Sequence, residues 1–318
     1  MKKIFIVFLV IAFVFIGILY GLKRRYSYNY VKIDEKTDLG INRELHDFNA
    51  NIKHILILGV DSRKNTYTST RSDLIQIASL DVENATLKTT SIMRDTYLYI
   101  PDKKFYDKIN HAYAFGCDVG LIKALNTNLD LNLDEFVAVN FEAITKMVDV
   151  IDGINVHIAA DEIQHISGIN SQGEHLLNGT QALQYSRIRY ASGGDVKRTS
   201  RQRIVFRAIA DRLKGNSYKQ YLKIIQVMLP YIDTSLTMKD FTGLLGTYLG
   251  IVDLDIRGNS FPKYQYGRKI NKIWYMIPND LEKNVQWLHK NIFEISNYQV
   301  TDTVRNHNKA IRNKAKRV

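Results

Sequence analysis

Nineteen consecutive residues without a charge, Ile4–Leu22 (IFIVFLVIAFVFIGILYGL), stand directly behind Met1-Lys2-Lys3. A helix of that length covers the ~30 Å hydrocarbon core of a bilayer at ~1.5 Å per residue. Everything that follows must then fold on one side of a membrane, or be cut away from this segment. A cleaved signal peptide is the rival reading. No small-x-small cleavage pattern follows, however, and the run ends in Tyr20-Gly21-Leu22-Lys23-Arg24-Arg25. The expectation is an uncleaved, single-pass anchor at residues 4–22, behind a cytoplasmic stub at 1–3. Basic residues on both flanks blunt the positive-inside rule. Long domains translocate largely regardless of charge, so the body is expected on the extracellular side of the cell membrane.

The remaining 296 residues suffice for one large core or two modest ones. Net charge +12 calls for anionic partners: nucleic acid, anionic lipid or a polyanionic polymer. The anchor and the lack of a C₂H₂ finger or other clear DNA-binding pattern argue against nucleic acid. Cys117, the single cysteine, excludes an intrachain disulfide and any cysteine-built metal site. The eight histidines show no H-x-x-H or H-E-x-x-H spacing, which argues against a zinc enzyme.

Residues 23–50 are polar and aperiodic and read as a linker. His54–Val60 (HILILGV) is a continuous apolar run suited to a strand buried on both faces. Leu74–Leu80 and Leu87–Ile92 around Asp81-Val82-Glu83-Asn84 form a hairpin pattern, and Tyr97–Ile100 a further short strand. Helical spacing follows at 119–129 and 141–151, and a strand at Ile154–Ile158. Asn178 is a good N-cap for a helix over Gly179–Ser186. Beyond residue 210 the pattern predicts helices near 217–229, 238–248 and 280–292, with strands near 251–256 and 272–277. Alternating strands and helices argue for one layered α/β domain over 51–295. The stretch 296–318 reads as a flexible basic tail, since after Thr301 six cations face one acid, Asp302.

The segment RIRYASGGDVKRTSRQR, residues 187–203, gathers five arginines and a lysine around Asp195. Arg187-Ile188-Arg189 reads as extended, which puts both arginines on one face. Asp195 suits the N-cap of a helix whose first turns carry Arg198, Arg201 and Gln202 on one side. Two guanidinium groups ~6 Å apart repel by roughly 3 kcal/mol at an effective dielectric near 20. If the side chains converge they demand an anion, and phosphate or diphosphate fits the arginine fork. If they splay into solvent they form only a basic surface. Asp61, just past the buried strand, and Asp73, in Arg71-Ser72-Asp73, are either turn residues or hard oxygen ligands for Mg²⁺.

The segments ILILGVDSR (55–63), RSDLIQIASLD (71–81), SIMRDTYLYIP (91–101), KINHAYAFG (108–116), VDVIDGINVHI (148–158) and LNGTQALQYSRIRY with GDVKRTSRQR closely resemble the LytR-CpsA-Psr family of cell-envelope proteins. The resemblance runs in order from about residue 52 to residue 210. It implies an α/β/α sandwich around a mixed central sheet, with a hydrophobic channel for a lipid. It implies a phosphotransferase that moves a polyprenyl-diphosphate-linked glycopolymer, such as a teichoic acid or capsular polysaccharide, onto peptidoglycan. The metal-associated aspartates fall on Asp61 and Asp73, with Mg²⁺ or Mn²⁺ as cofactor. The diphosphate-binding arginines fall on Arg94, Arg187 and Arg189. Asp195 and Gln202 line the pocket, with Arg198 and Arg201 on the adjoining turns. Catalysis is expected from Asp73, Arg94, Arg187, Arg189 and Asp195, with Asp73 or Asp61 as base. Met93 departs from the proline usual before that arginine. A diphosphate hydrolase and a non-catalytic envelope sensor are the alternative functions.

Overall fold

The computed structural model of the chain describes residues 29–34, 36–41, 52–60, 71–81, 83–84, 86–188, 201, 204–205, 208–209, 211–212, 227–237, 240 and 255–316. These fall into two compact units. One takes in the described residues of 30–139, 233–236 and 251–318; the other takes in Asn29 and those of 140–232 and 237–250. The expected anchor lies outside the described residues, as do most of the helices expected near 217–229 and 238–248. No helix among the described residues is long and apolar enough to cross a membrane.

In the first unit the apolar run becomes a strand with neighbours on both sides. Along a seven-stranded sheet the order is β1 (Asn29–Tyr30), β10 (Ile232–Thr234), β7 (Phe136–Asn140), β2 (Ile52–Val60), β3 (Ser72–Asp81), β4 (Thr86–Ile92) and β11 (Asp255–Phe261). β2, β3 and β4 run antiparallel in turn, whereas β11 lies parallel to β4, so the sheet is mixed. Leu56 pairs with Ile77 and Leu58 with Ile75, all buried. The register shifts between Gly59 and Val60, where a Cβ on Gly59 would stand 2.9 Å from that of Leu74. Only glycine permits that approach.

Helix α1 (Ile109–Leu129) packs on this sheet through Ile109, Leu121 and Leu125, in one core with Phe136 and Phe261. It starts ten residues ahead of the expected 119. Gly116 and Cys117 leave helical geometry, with Cys117 at φ 52, so the hydrophobic repeat changes phase midway and only the second half is periodic. Burial pushes the Cys117 thiol up, as an inert cysteine requires.

Three more expectations are corrected in this unit. The sequence predicts a linker over 23–50, but Val31, Ile33 and Leu39 pack against the core, and the Val31 amide donates to the Thr234 carbonyl at 2.8 Å. The strand expected near 251–256 runs over 255–261. Ahead of the strand expected near 272–277 lies an unforeseen partner, so that β12 (Gln265–Ile270) and β13 (Ile273–Pro278) make a hairpin.

The basic tail is not a flexible end. Residues Asp302–Lys316 form a 15-residue helix, α5, whose Val304, Ile311 and Ala315 are buried in the main core. Asn308 accepts from the Leu281 amide at 2.9 Å and so caps the preceding helix α4 (Leu281–Ile292). On α5 Lys309, Arg312 and Lys314 are exposed on the outer side of an amphipathic helix, and burial of the apolar stripe orders it.

The second unit is built on helices α2 (Phe141–Val150) and α3 (Gly179–Arg187) with the hairpin β8 (Ile154–Ile158) and β9 (Gly173–Leu177). Asn178 caps α3 as expected and does so through a reciprocal capping box with Gln181. Gly179 is required here, because a Cβ would fall 2.1 Å from the Thr145 carbonyl oxygen of α2. The Gly179 amide donates to Asp149 Oδ1 at 2.7 Å, which locks the two helices together.

Candidate active site

Arg94 follows β4 in a tight turn that neighbours hold on every side. The Met93 amide donates to the Phe261 carbonyl, that of Asn110 to Arg94, that of Ile109 to Thr96 and that of Met276 to Asp95. The turn is thus tied by its backbone to β11, α1 and β13, with Met93 where the resemblance leads one to expect proline.

Its guanidinium is equally fixed. Arg94 Nη1 donates to Asp73 Oδ1 at 2.7 Å, Arg94 Nε lies 3.5 Å from Asp95 Oδ2, and Lys108 Nζ reaches Asp95 Oδ1 at 2.7 Å. The side chains of Asp73 and Arg94 are only 13% and 11% exposed, so this pair is screened far less than a surface ion pair. Alternating signs along Asp73–Arg94–Asp95–Lys108 let four charges share a small volume. Beside them, Asp107 receives His111 Nδ1 at 2.7 Å and the Tyr275 hydroxyl at 3.2 Å. Burial works to raise Asp107, but the hydrogen bonds from His111, the Lys108 amide and Tyr275, with the charge of His111, outweigh it and hold the carboxyl below its usual range. Burial and the Asp107 carboxylate push Tyr275 up to about 12, which keeps it a donor.

Asp73 is the kind of hard oxygen donor that holds Mg²⁺ beside phosphates. Chemically it fits such an ion, which would share the carboxylate with Arg94. No cluster of three or more His, Cys, Asp or Glu ligands occurs among the described residues. Asp61, the second expected ligand, lies outside them.

In the unit built on α2 and α3, Arg187 is not in an extended segment. It is the last residue of α3, where its charge complements the carbonyl end of the helix. Arg201 differs more sharply from the phosphate-contacting role expected of it. Its side chain is 3% exposed, its Nε donates to Glu162 Oε1 at 2.6 Å, and its Nη1 donates to the Ile188 carbonyl at 3.2 Å. Glu162 is itself tied down by the Ala159 amide. Arg201 thus grips the backbone between Arg187 and Arg189 from inside the unit. Burial, with the nearby Glu162 charge, pushes Tyr185 up to about 12. Arg189, Asp195, Arg198 and Gln202 lie outside the described residues.

The sequence singled out Asp73 as a metal ligand and Arg94 as a diphosphate ligand; the structure pairs the two with each other, and it adds Asp95, Lys108 and Glu162, which carried no assigned role. Asp95 adjoins Arg94 and Lys108 opens KINHAYAFG, so both were within reach. Glu162, 39 residues from Arg201, carried no signal.

A mixed sheet covered by helices, with an arginine locked among carboxylates at its strand ends, defines an α/β domain with a preorganised polar site. The chain belongs to the LytR_cpsA_psr family, which it matches over residues 23–291. It is 32% identical over 244 residues to polyisoprenyl-teichoic acid–peptidoglycan teichoic acid transferase TagU of Oceanobacillus iheyensis, covering 73% of this chain and 72% of that protein. It is 30% identical over 201 residues to the regulatory protein MsrR of Staphylococcus aureus, covering 61% of each. Among solved structures it resembles TagT bound to LI-WTA, with a TM-score of 0.55 and 27% identity over 85% of this chain and 98% of that one.

Proposed function

We propose that this protein transfers a polyprenyl-diphosphate-linked glycopolymer onto peptidoglycan, as the name of its TagU relative describes for that protein. The observation that carries this reading is the Asp73–Arg94–Asp95–Lys108 chain, which holds the Arg94 guanidinium fixed in a polar cluster at the strand ends. Membership of the family supports it, and so does the residue pattern that aligns Arg187 and Arg189 with diphosphate-binding arginines. The run Ile4–Leu22 supports a single-pass anchor with the domain on the cell-wall side, where lipid carrier and peptidoglycan meet.

In this reading Arg94, Arg187 and Arg189 grip the diphosphate oxygens, and Asp195 and Gln202 border the pocket. A glycan hydroxyl attacks the phosphorus nearer the polymer. The new phosphodiester bond forms as the bond to the bridging oxygen breaks, polyprenyl phosphate leaves, and the hydroxyl proton passes to Asp61 or Asp73. Preorganised arginines supply charge stabilisation without reorganising during the reaction. Asp61 and Asp73 would hold Mg²⁺, or Mn²⁺ in its place, which when bound neutralises phosphate charge. Arg201 acts one step back, holding the backbone that presents its neighbours.

Asp73→Asn tests the reading. It removes a charge, nearly preserves shape and leaves three arginines for the donor. Turnover with a synthetic lipid-diphosphate glycan and peptidoglycan oligomers falls by orders of magnitude, while donor affinity by calorimetry falls much less. Unaltered transfer in the variant would remove Asp73 from the chemistry. Release of polymer phosphate into water with no product on any glycan would instead identify a hydrolase. The name of MsrR favours a second, regulatory reading, which predicts tight donor binding by the wild type without turnover.

A further inference from the structure

The hairpin β12–β13 has more exposed aromatic surface than its place in the fold requires. Tyr264, Tyr266, Ile273 and Trp274 are 48%, 37%, 50% and 42% exposed. Residues 263–278 (KYQYGRKINKIWYMIP) contain four cations and no acid. Arg268, Lys269 and Lys272 make no ion pair among the described residues. Lys269 stands opposite Trp274 in the register, so the two share one face of the hairpin.

Trp274 is also held in place. A Cβ on Gly267 would lie 2.8 Å from its Cζ2 and 3.0 Å from its Nε1. The indole edge occupies the space a side chain at 267 would fill. An exposed aromatic fixed in this way presents itself to a ligand with little further loss of freedom.

The base of the hairpin is stitched to the candidate site. The Met276 amide donates to the Asp95 carbonyl at 2.9 Å, Met276 bridges Thr96, and the Tyr275 hydroxyl meets Asp107. Trp274 stands two residues from Met276, about 7 Å along the strand. The hairpin thus extends a cationic, aromatic surface outward from the turn that carries Arg94.

We propose that this hairpin is a polymer-binding arm, in which Trp274 with Lys269 and Lys272 holds the phosphate-bearing chain of the glycopolymer beyond its diphosphate end. The proposal rests on the transferase reading and deepens it. Charge complementarity selects the occupant: a polyol- or sugar-phosphate chain alternates anionic groups with carbon-rich units, matching cations interleaved with an aromatic. A membrane-inserting tip would lead with apolar side chains. This one turns through Asn271 and Lys272, both at positive φ and both exposed.

The test titrates the detergent-solubilised full chain with poly(glycerol phosphate) oligomers that lack any lipid diphosphate. The chain has two tryptophans, so Trp287→Phe leaves Trp274 as sole reporter. The expected result is a change in Trp274 emission on binding and, by calorimetry, affinity weakened about ten-fold by Trp274→Ala and by Lys269→Gln with Lys272→Gln. Gly267→Ala, which dislodges the indole, weakens it in the same direction. Unchanged affinity in all three variants, or transfer with unaltered KM, overturns the arm and leaves the transferase standing. Tighter hairpin-dependent binding to phosphatidylglycerol vesicles than to the polymer also overturns it and makes the hairpin a membrane contact. Hairpin-dependent polymer binding by a chain that never transfers supports the arm and removes the transferase reading instead.

Discussion

Glu162→Gln is the sharpest probe of how the arginine cluster is held. In the wild type Arg201 and Glu162 are 3% and 9% exposed at their side chains and joined at 2.6 Å. Removing one partner of such a pair strands the other charge away from water, at a cost of about 3–5 kcal/mol. Arg201→Met should cost a similar amount, because among the described residues Glu162 then keeps only the Ala159 amide. The double variant Glu162→Leu, Arg201→Met strands no charge and should return to within about 2 kcal/mol of the wild type. Urea unfolding of the full chain in detergent measures the cycle, and calorimetry with the lipid-diphosphate donor gives the second readout. If Arg201 only supports the Ile188 carbonyl, Glu162→Gln and Arg201→Met weaken donor binding in parallel. If Arg201 touched phosphate, its loss alone would abolish binding, and Glu162→Gln would bind as the wild type does. That second pattern would refute the positioning role.

Deleting residues 302–318 should lower stability by about 5 kcal/mol, since Val304, Ile311 and Ala315 leave the core; a melt that is unmoved would mean α5 is dispensable. Burial and the nearby Asp233 charge push Asp118 up to about 7 from an ordinary 3.8. The folded state then holds a proton that the unfolded state has lost, so this group costs stability as pH rises between those values, up to roughly 4 kcal/mol. Asp118→Asn should remove that decline and raise the melting temperature at pH 8, and an unchanged pH slope would count against it. Burial, aided for His54 by nearby positive charge, pushes His54 down to about 3 and His289 down to about 4, from an ordinary 6.5. The unfolded chain binds both protons first, so stability falls as pH drops below about 6.5, by roughly 1.4 kcal/mol per unit for each histidine. His54→Gln should shed its share of that acid slope, as urea titrations between pH 4 and 7 will register.

What the sequence determined is what local pattern and length encode. β2 is legible because a strand covered on both faces must be apolar at nearly every position. The β3–β4 hairpin announces itself by two such runs around a turn, and α3 by an N-cap whose side chain bonds the first free amides. Asp73 and Arg94 were each legible as candidates, since both stand at the ends of readable strands, but that they pair with each other was not. Tertiary structure decided the rest. The start of α1 was hidden by the kink at Gly116 and Cys117, which dephases its apolar repeat. β12 (QYGRKI) is exposed or only half-buried along its length and sets Arg268 between Tyr266 and Ile270, so no clear apolar alternation marks it. The helix α5 resembles a basic tail in composition because its buried stripe is narrow and includes Asn308, whose use as a cap depends on α4. Arg201 shares its spacing with residues expected to face phosphate, and the distant Glu162, with the Ile188 carbonyl, holds it inside instead. A charge goes where its partner is, and the position of a partner 39 residues away is a property of the fold.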